Sequence, residues 1–146
     1  MKRFTFFLAI IFAAANIMAQ APDNWTGDSD IELFQESTTI HGGSYSCGVI
    51  VNSGTQSNCD LTNDVLITVS EGDDYKITFW ANTSDHVRIT GVLDWEGTSS
   101  TYTGTYVGPA TAGWEQFVYE GTVPAGVTGV NLRLRFYDVS GFAAPE

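Results

Sequence analysis

The chain has 146 residues, 43% hydrophobic and 16% charged, with 15 Gly and only 4 Pro, the make-up of one ordinary globular domain with no room for a second. Its formal charge of −11 repels a phosphate backbone or an anionic lipid surface unless the few cations are gathered together, so neither nucleic acid nor membrane is expected as a partner. In chain order, Lys2 and Arg3, the apolar run from Phe4 to Ala15 and the small-residue stretch ending Ala19-Gln20-Ala21 read as a secretory signal peptide over 1–21. The run falls short of the roughly 20 apolar residues that span a bilayer. The expected product is a secreted domain over 22–146, extracellular or periplasmic, in which only Lys76, Arg88, Arg133 and Arg135 are basic while all 17 acidic residues remain.

Short stretches rich in Val, Ile, Thr, Tyr and Phe follow, separated by clusters of Gly, Asn, Asp and Ser. This predicts an all-β domain with strands over 44–51, 65–69, 75–81, 86–95, 101–107, 115–123 and 131–139. Glu71-Gly72-Asp73-Asp74, Gly108-Pro109-Ala110 and Pro124-Ala125-Gly126 are the sharpest breaks. No window carries a helical period, and seven or so strands point to a two-sheet antiparallel β-sandwich.

The two cysteines, Cys47 and Cys59, are an even pair in a secreted chain, which favours a disulfide. As cross-strand partners they centre a hairpin on Ser53, and Gly54 stands where a three-residue loop needs a left-handed residue. The alternative, a metal or redox pair, lacks both a CxxC spacing and a nearby histidine pattern.

Alternation assigns the faces, because successive strand residues point to opposite sides. Tyr75, Ile77, Phe79 and Ala81 share one side against Lys76, Thr78 and Trp80; Val87 and Ile89 oppose His86, Arg88 and Thr90; Leu132, Leu134 and Phe136 oppose Arg133, Arg135 and Tyr137. Every cation of the domain avoids the core side. If these strands are neighbours in one sheet, its outer surface gathers all four cations with Trp80 and Tyr137. A sugar ring offers an apolar C–H face and a rim of hydroxyls, so Trp80 and Tyr137 as platforms, with Lys76, Arg88, Gln116, Arg133 and Arg135 as polar partners, form a candidate ligand surface. Arginine forks also hold carboxylates bidentately, which brings uronic-acid polymers into the ligand class. Basic residues on strand surfaces equally serve to guard edges and keep a protein soluble.

Trp114 reads as a packing residue at a strand start, Trp25 as a pin for the N-terminal segment, and Trp95 as a rim residue between Asp94 and Glu96. No catalytic residue is assigned. His41 and His86 lack a nucleophile motif. Asp94 and Glu96 share a parity at a separation near that of an inverting carboxylate pair, and Tyr137 beside Arg135 is the one arrangement suited to a lyase.

The stretches HGGSYSCGVIV, VSEGDDYKITFWA and GWEQFVYEGTVPAGVTGVNLRLRF resemble the CenC-type carbohydrate-binding modules over about Trp25 to Phe142. The resemblance implies a jelly-roll β-sandwich that binds polysaccharide or oligosaccharide chains on one concave sheet, without catalysis, as an accessory to a glycoside hydrolase or lyase. It places ligand contacts at Trp80, Arg133 and Arg135. It also implies a structural calcium, for which Asp28, Asp30 and Glu32 are the carboxylates at hand, and a closing strand that this sequence lacks, as a C-terminally truncated domain would. The alternative from another class is a structural or adhesive domain of a secreted or surface protein that binds no glycan.

Overall fold

Ten strands account for the regular structure of residues 22–146, which are those that the computed structural model describes; the expected signal peptide over 1–21 lies outside them. The strands are β1 (Trp25–Gly27), β2 (Ile31–Glu36), β3 (Ser46–Val51), β4 (Asp60–Asn63), β5 (Ile67–Thr68), β6 (Asp74–Ala81), β7 (Val87–Trp95), β8 (Thr101–Tyr102), β9 (Glu115–Thr122) and β10 (Gly129–Asp138), with one 3-10 turn at Gln56–Asn58. Six of them form one antiparallel sheet in the order β1-β4-β10-β7-β8, with β5 also on β10. The facing layer is split into two antiparallel pairs, β2 with β3 and β6 with β9. The architecture is an antiparallel β-sandwich of jelly-roll type.

The core lies between the layers and is built by alternation. Ile31, Leu33, Val51 and Ala81 meet Leu61, Ile89 and Phe136 of the large sheet in one cluster. Ile77 and Phe117 meet Leu93, Trp95 and Val130 in the other. Phe117 is 1% exposed and stacks on Phe79 at 4.5 Å, so its burial contributes roughly 1.5–3 kcal/mol. Trp95 is buried too, its indole N–H donating to Thr101 Oγ1 at 2.9 Å. It is therefore a core residue and not the rim residue its acidic neighbours suggest.

Two expectations are corrected. Cys47 and Cys59 are not bonded to each other: both are free, Cys47 exposed and Cys59 fully buried. The hairpin that would have joined them does not form, because β3 pairs with β2 in one layer while β4 crosses to lie between β1 and β10 in the other. The segment centred on Ser53 is a passage between layers. Burial, reinforced by the carboxylates of Asp30, Asp60, Asp28 and Asp138, pushes the Cys59 thiol up to about 11, so it is a protonated core side chain. Native protein treated with iodoacetamide should gain one adduct, at Cys47, and a second only after unfolding; a protein with no titratable thiol would contradict the free-cysteine state.

The second correction concerns the shared outer plane. The alternation of β6, β7 and β10 holds strand by strand, but β6 belongs to the other layer. Ile77 and Phe117 turn inward against Leu93 and Val130, so Lys76, Trp80 and Gln116 point away from the sandwich on the side opposite Arg88, Arg133, Arg135 and Tyr137.

Candidate functional site

On the outer face of the large sheet, pairing register sets the positions. β10 places Arg133 opposite Val92, Arg135 opposite Thr90 and Tyr137 opposite Arg88. On its other side β4 places Asp60 opposite Arg135 and Thr62 opposite Arg133. β8 sets Tyr102 opposite Val92, and a bridge sets Val107 opposite Ile89. Five residue steps on this edge thus face three on β7, and the excess bulges over the sheet. The bulge carries Tyr106 and buries Thr90, whose hydroxyl lies 2.8 Å from Thr103 Oγ1 and donates to the Thr105 carbonyl at 2.5 Å.

Asp60 is the hub of this face. Only 2% exposed, it accepts from Arg133 Nη1 at 2.6 Å and from both Nε and Nη2 of Arg135, at 2.7 and 2.6 Å. Arg133 Nη2 reaches Asp94 at 2.9 Å, and Asp94 also accepts from Ser100 Oγ at 2.6 Å. The hydrogen bonds to Asp60 raise the Arg135 pKa further. For Arg133, burial pulls the other way and is outweighed by Asp60 and Asp94. The two guanidinium groups are locked in place, which is what pre-organised donors require.

Three tyrosines surround this lattice. Tyr102 and Tyr106 are 52% and 40% exposed, and Tyr137 is half-buried. Arg88 lies with Cζ 4.1 Å from the centre of the Tyr106 ring and 5.6 Å from that of Tyr137, the two rings standing nearly perpendicular. Arg135 approaches the Tyr102 ring at 5.5 Å and its hydroxyl at 3.5 Å. Burial raises the Tyr137 phenol above its ordinary value against the opposing pull of Arg135, so the hydroxyl is a neutral donor near pH 7.

Among the described residues Arg88 differs from the other three cations. Lys76 pairs with Glu120 at 2.8 Å, and Arg133 and Arg135 are paired as above. Arg88 has no carboxylate within ion-pair distance, while its Nε, like that of Arg133, is buried without a partner. Its charge is held by two aromatic rings alone, leaving donors for a ligand.

Four of the seven expected contacts therefore assemble here: Arg88, Arg133, Arg135 and Tyr137. Asp60, Tyr102 and Tyr106 are additional members. Trp80 faces Gln116 across the β6–β9 pair on the opposite side of the protein, with Lys76 farther along the same strand. His41 stacks on Trp80 at 4.1 Å with 20° between the planes, and Trp114 meets His41 edge-on at 5.5 Å.

Asp94 is engaged by Arg133 and Ser100, while Glu96, past the end of β7, lays its carboxylate over Gly129. Asp30 is bonded to Ser29 and Asn58, and among the described residues no three acidic, His or Cys side chains converge as metal ligands, Asp28, Asp30 and Glu32 included.

No family model and no curated protein matches the sequence. Solved structures do match. The C-terminal family 22 carbohydrate-binding module of Clostridium thermocellum Xyn10B is 15% identical with a TM-score of 0.54, over 84% of this chain and 90% of that one. The tandem family 22 modules of Paenibacillus barcinonensis Xyn10C give 17% and 0.55, over 90% and 46%. The N-terminal family 22 module and GH10 module of Clostridium thermocellum Xyn10B, complexed with xylohexaose, give 12% and 0.54, over 84% and 26%. At these identities the likeness is one of fold: this chain has the fold of carbohydrate-binding modules.

Proposed function

We propose that the protein is a secreted, non-catalytic carbohydrate-binding module that takes a polysaccharide segment along the outer face of the six-stranded sheet, as an accessory to a glycoside hydrolase or lyase. The observation that carries this reading is the lattice on that face: exposed tyrosine rings set around arginines fixed by buried Asp60. Flat rings receive the C–H faces of sugars, while guanidinium and phenol groups meet their hydroxyls. The module fold supports the reading, as does the family 22 module joined to a GH10 module in complex with xylohexaose. Kinship with the CenC type in particular, and export through the 1–21 leader, are parts of the same proposal.

The geometry narrows which arginine reads charge. Arg133 and Arg135 already hold the protein's own carboxylates, so Arg88, held against the Tyr106 and Tyr137 rings, is the group left to meet a uronic-acid unit. Affinity electrophoresis against xylan, glucuronoxylan, polygalacturonate and hydroxyethyl cellulose tests both levels. Retardation is expected in at least one gel, stronger with the acidic polymers and weakened there by salt. Arg88→Gln should remove about tenfold of the acidic preference, the loss of one charge-assisted contact, and leave neutral binding in place. Equal retardation by acidic and neutral chains would discard the charge-reading role alone. Retardation by no polymer would discard glycan binding and leave the structural or adhesive domain.

A further inference from the structure

The bulge that carries Tyr106 is fastened to the sheet by backbone at both ends. Thr103 N–H donates to the Gly91 carbonyl at 3.3 Å, and Val107 exchanges two hydrogen bonds with Ile89, at 2.9 and 3.0 Å. Gly108, just beyond, has a φ of 81° and lies so close to Thr83 and the Val87 carbonyl that a Cβ would collide with both, so the chain is pressed onto the sheet at this end. Between the anchors it is held more lightly. Gly104 has a φ of 68° and open space around it, and Gly104, Thr105 and Tyr106 are all exposed. Among the described residues one side chain of the sheet bonds this span, that of Thr90 on β7. Its hydroxyl donates to the Thr105 carbonyl at 2.5 Å and, having one proton to give, accepts from the Thr103 hydroxyl at 2.8 Å.

We infer that Thr90 is a positioning residue for charge reading: by tying the bulge to the sheet it sets the place of the Tyr106 ring, and through that ring the place of the Arg88 guanidinium. The inference rests on the glycan reading above and adds to it a residue that the ligand does not touch, for Thr90 is 1% exposed. Tyr106 follows Thr105 directly, and Arg88 Cζ lies 4.1 Å from its ring centre against 5.6 Å for Tyr137. The nearer ring therefore contributes more of the contact that holds the charge. Tyr106 is 40% exposed, so the backbone beneath it largely decides where its ring stands. Without the Thr90 hydroxyl, the bulge spans from Gly91 to Ile89 with no support at its centre. The longer contact of Thr103 Oγ1 with the Thr105 carbonyl, at 3.4 Å, ties the bulge to itself and not to the sheet. A guanidinium whose partner ring is free to wander must be ordered at the moment of binding, and affinity for a carboxylate falls by that cost.

Affinity electrophoresis of the full chain tests the inference, with glucuronoxylan and polygalacturonate as the acidic probes and xylan and hydroxyethyl cellulose as the neutral ones. Thr90→Val keeps the branched shape and removes the hydroxyl; it should lose about three- to tenfold of the preference for the acidic polymers, with an unchanged far-UV spectrum. Thr90→Ser keeps the hydroxyl and should retain the preference. Thr90→Val combined with Arg88→Gln should lose no more of it than Arg88→Gln alone, because both act through one guanidinium. Thr103→Val removes one of the two bonds from the half-buried side of the bulge and should show a smaller loss in the same direction, which keeps the test open if Thr90→Val does not fold. An acidic preference unchanged in both valine variants, or losses that multiply in the double variant, would make Thr90 a residue of the fold alone and overturn the inference while the glycan reading stands. Thr90→Ser as weak as Thr90→Val would overturn it too. Wild type that shows no acidic preference would remove charge reading and this inference together, and wild type retarded by none of the four polymers would bring down the glycan reading as well.

Discussion

Asp60→Ala should destabilise the protein by about 3–5 kcal/mol, the range for removing one partner of a buried ion pair, and lower the melting temperature by some 10–20 °C in a domain of this size. The reason is geometric. Asp60 is 2% exposed and accepts three hydrogen bonds from two arginines whose side chains are themselves 17% and 13% exposed. Without the carboxylate, two guanidinium charges on adjacent alternate positions of β10 face each other, with only Asp94 left to offset one of them. Asp60→Asn keeps the volume and one acceptor but removes the charge, and should fall between alanine and wild type. A thermal melt followed by circular dichroism measures both. A shift of under 3 °C for Asp60→Ala would mean that the outer face is not held by this carboxylate.

Tyr137→Ala should act in the opposite way, with a large loss of ligand binding and a small loss of stability. Tyr137 is half-buried at the edge of the lattice and provides one of the two rings between which Arg88 is held. Its removal takes away a platform and frees the arginine. A central aromatic contact of this kind is worth roughly 1.4–2.8 kcal/mol, a 10–100-fold change in affinity. Tyr137→Phe should retain most of the binding, since the ring and its contact with Arg88 remain and only the phenol donor is lost. If phenylalanine proves as damaging as alanine, the hydroxyl and not the ring is the contact. If neither substitution changes affinity, the ligand does not lie on this face.

Much of the fold was legible because alternation is a local property. In β7 and β10 the polar and apolar sides fall where the residue pattern puts them, and the antiparallel register then brings Arg88 against Tyr137 with no further information needed. The same rule failed for β6 in an instructive way. It orients Trp80 and Lys76 outward from their own sheet, correctly, but carries no information on which layer that sheet occupies. Side-chain parity is a within-strand property; layer membership is decided by packing of Ile77 and Phe117 against Leu93 and Val130.

Strands β1, β2 and β4 were not foreseen. β1 and β4 are three and four residues long, too short for a period to show. In β2, Ile31, Leu33 and Gln35 alternate with Glu32, Phe34 and Glu36, so an aromatic falls on the charged side. Phe34 packs its ring over Gly48 of β3, which explains in three dimensions what looks irregular in one.

Asp60 left a faint trace, an acid flanked by Cys59 and Leu61 that must face away from them. Its role depends on β10 as a neighbour, about 75 residues downstream. Tyr102 and Tyr106 share a parity in the predicted 101–107 strand, yet the bulge between them, not the alternation, brings both to the arginine face. The cysteines misled for a related reason. Spacing around a turn specifies a hairpin only if the chain turns back within one sheet, and here it changes layers.

The most direct test is a residue-by-residue map of amide chemical shifts during titration with the glycan that retards the protein most strongly. The account predicts a contiguous set of perturbed amides on Arg88, Tyr102, Tyr106, Arg133, Arg135 and Tyr137, saturating with one dissociation constant. Perturbations that leave these six residues untouched, wherever else they fall, would contradict it.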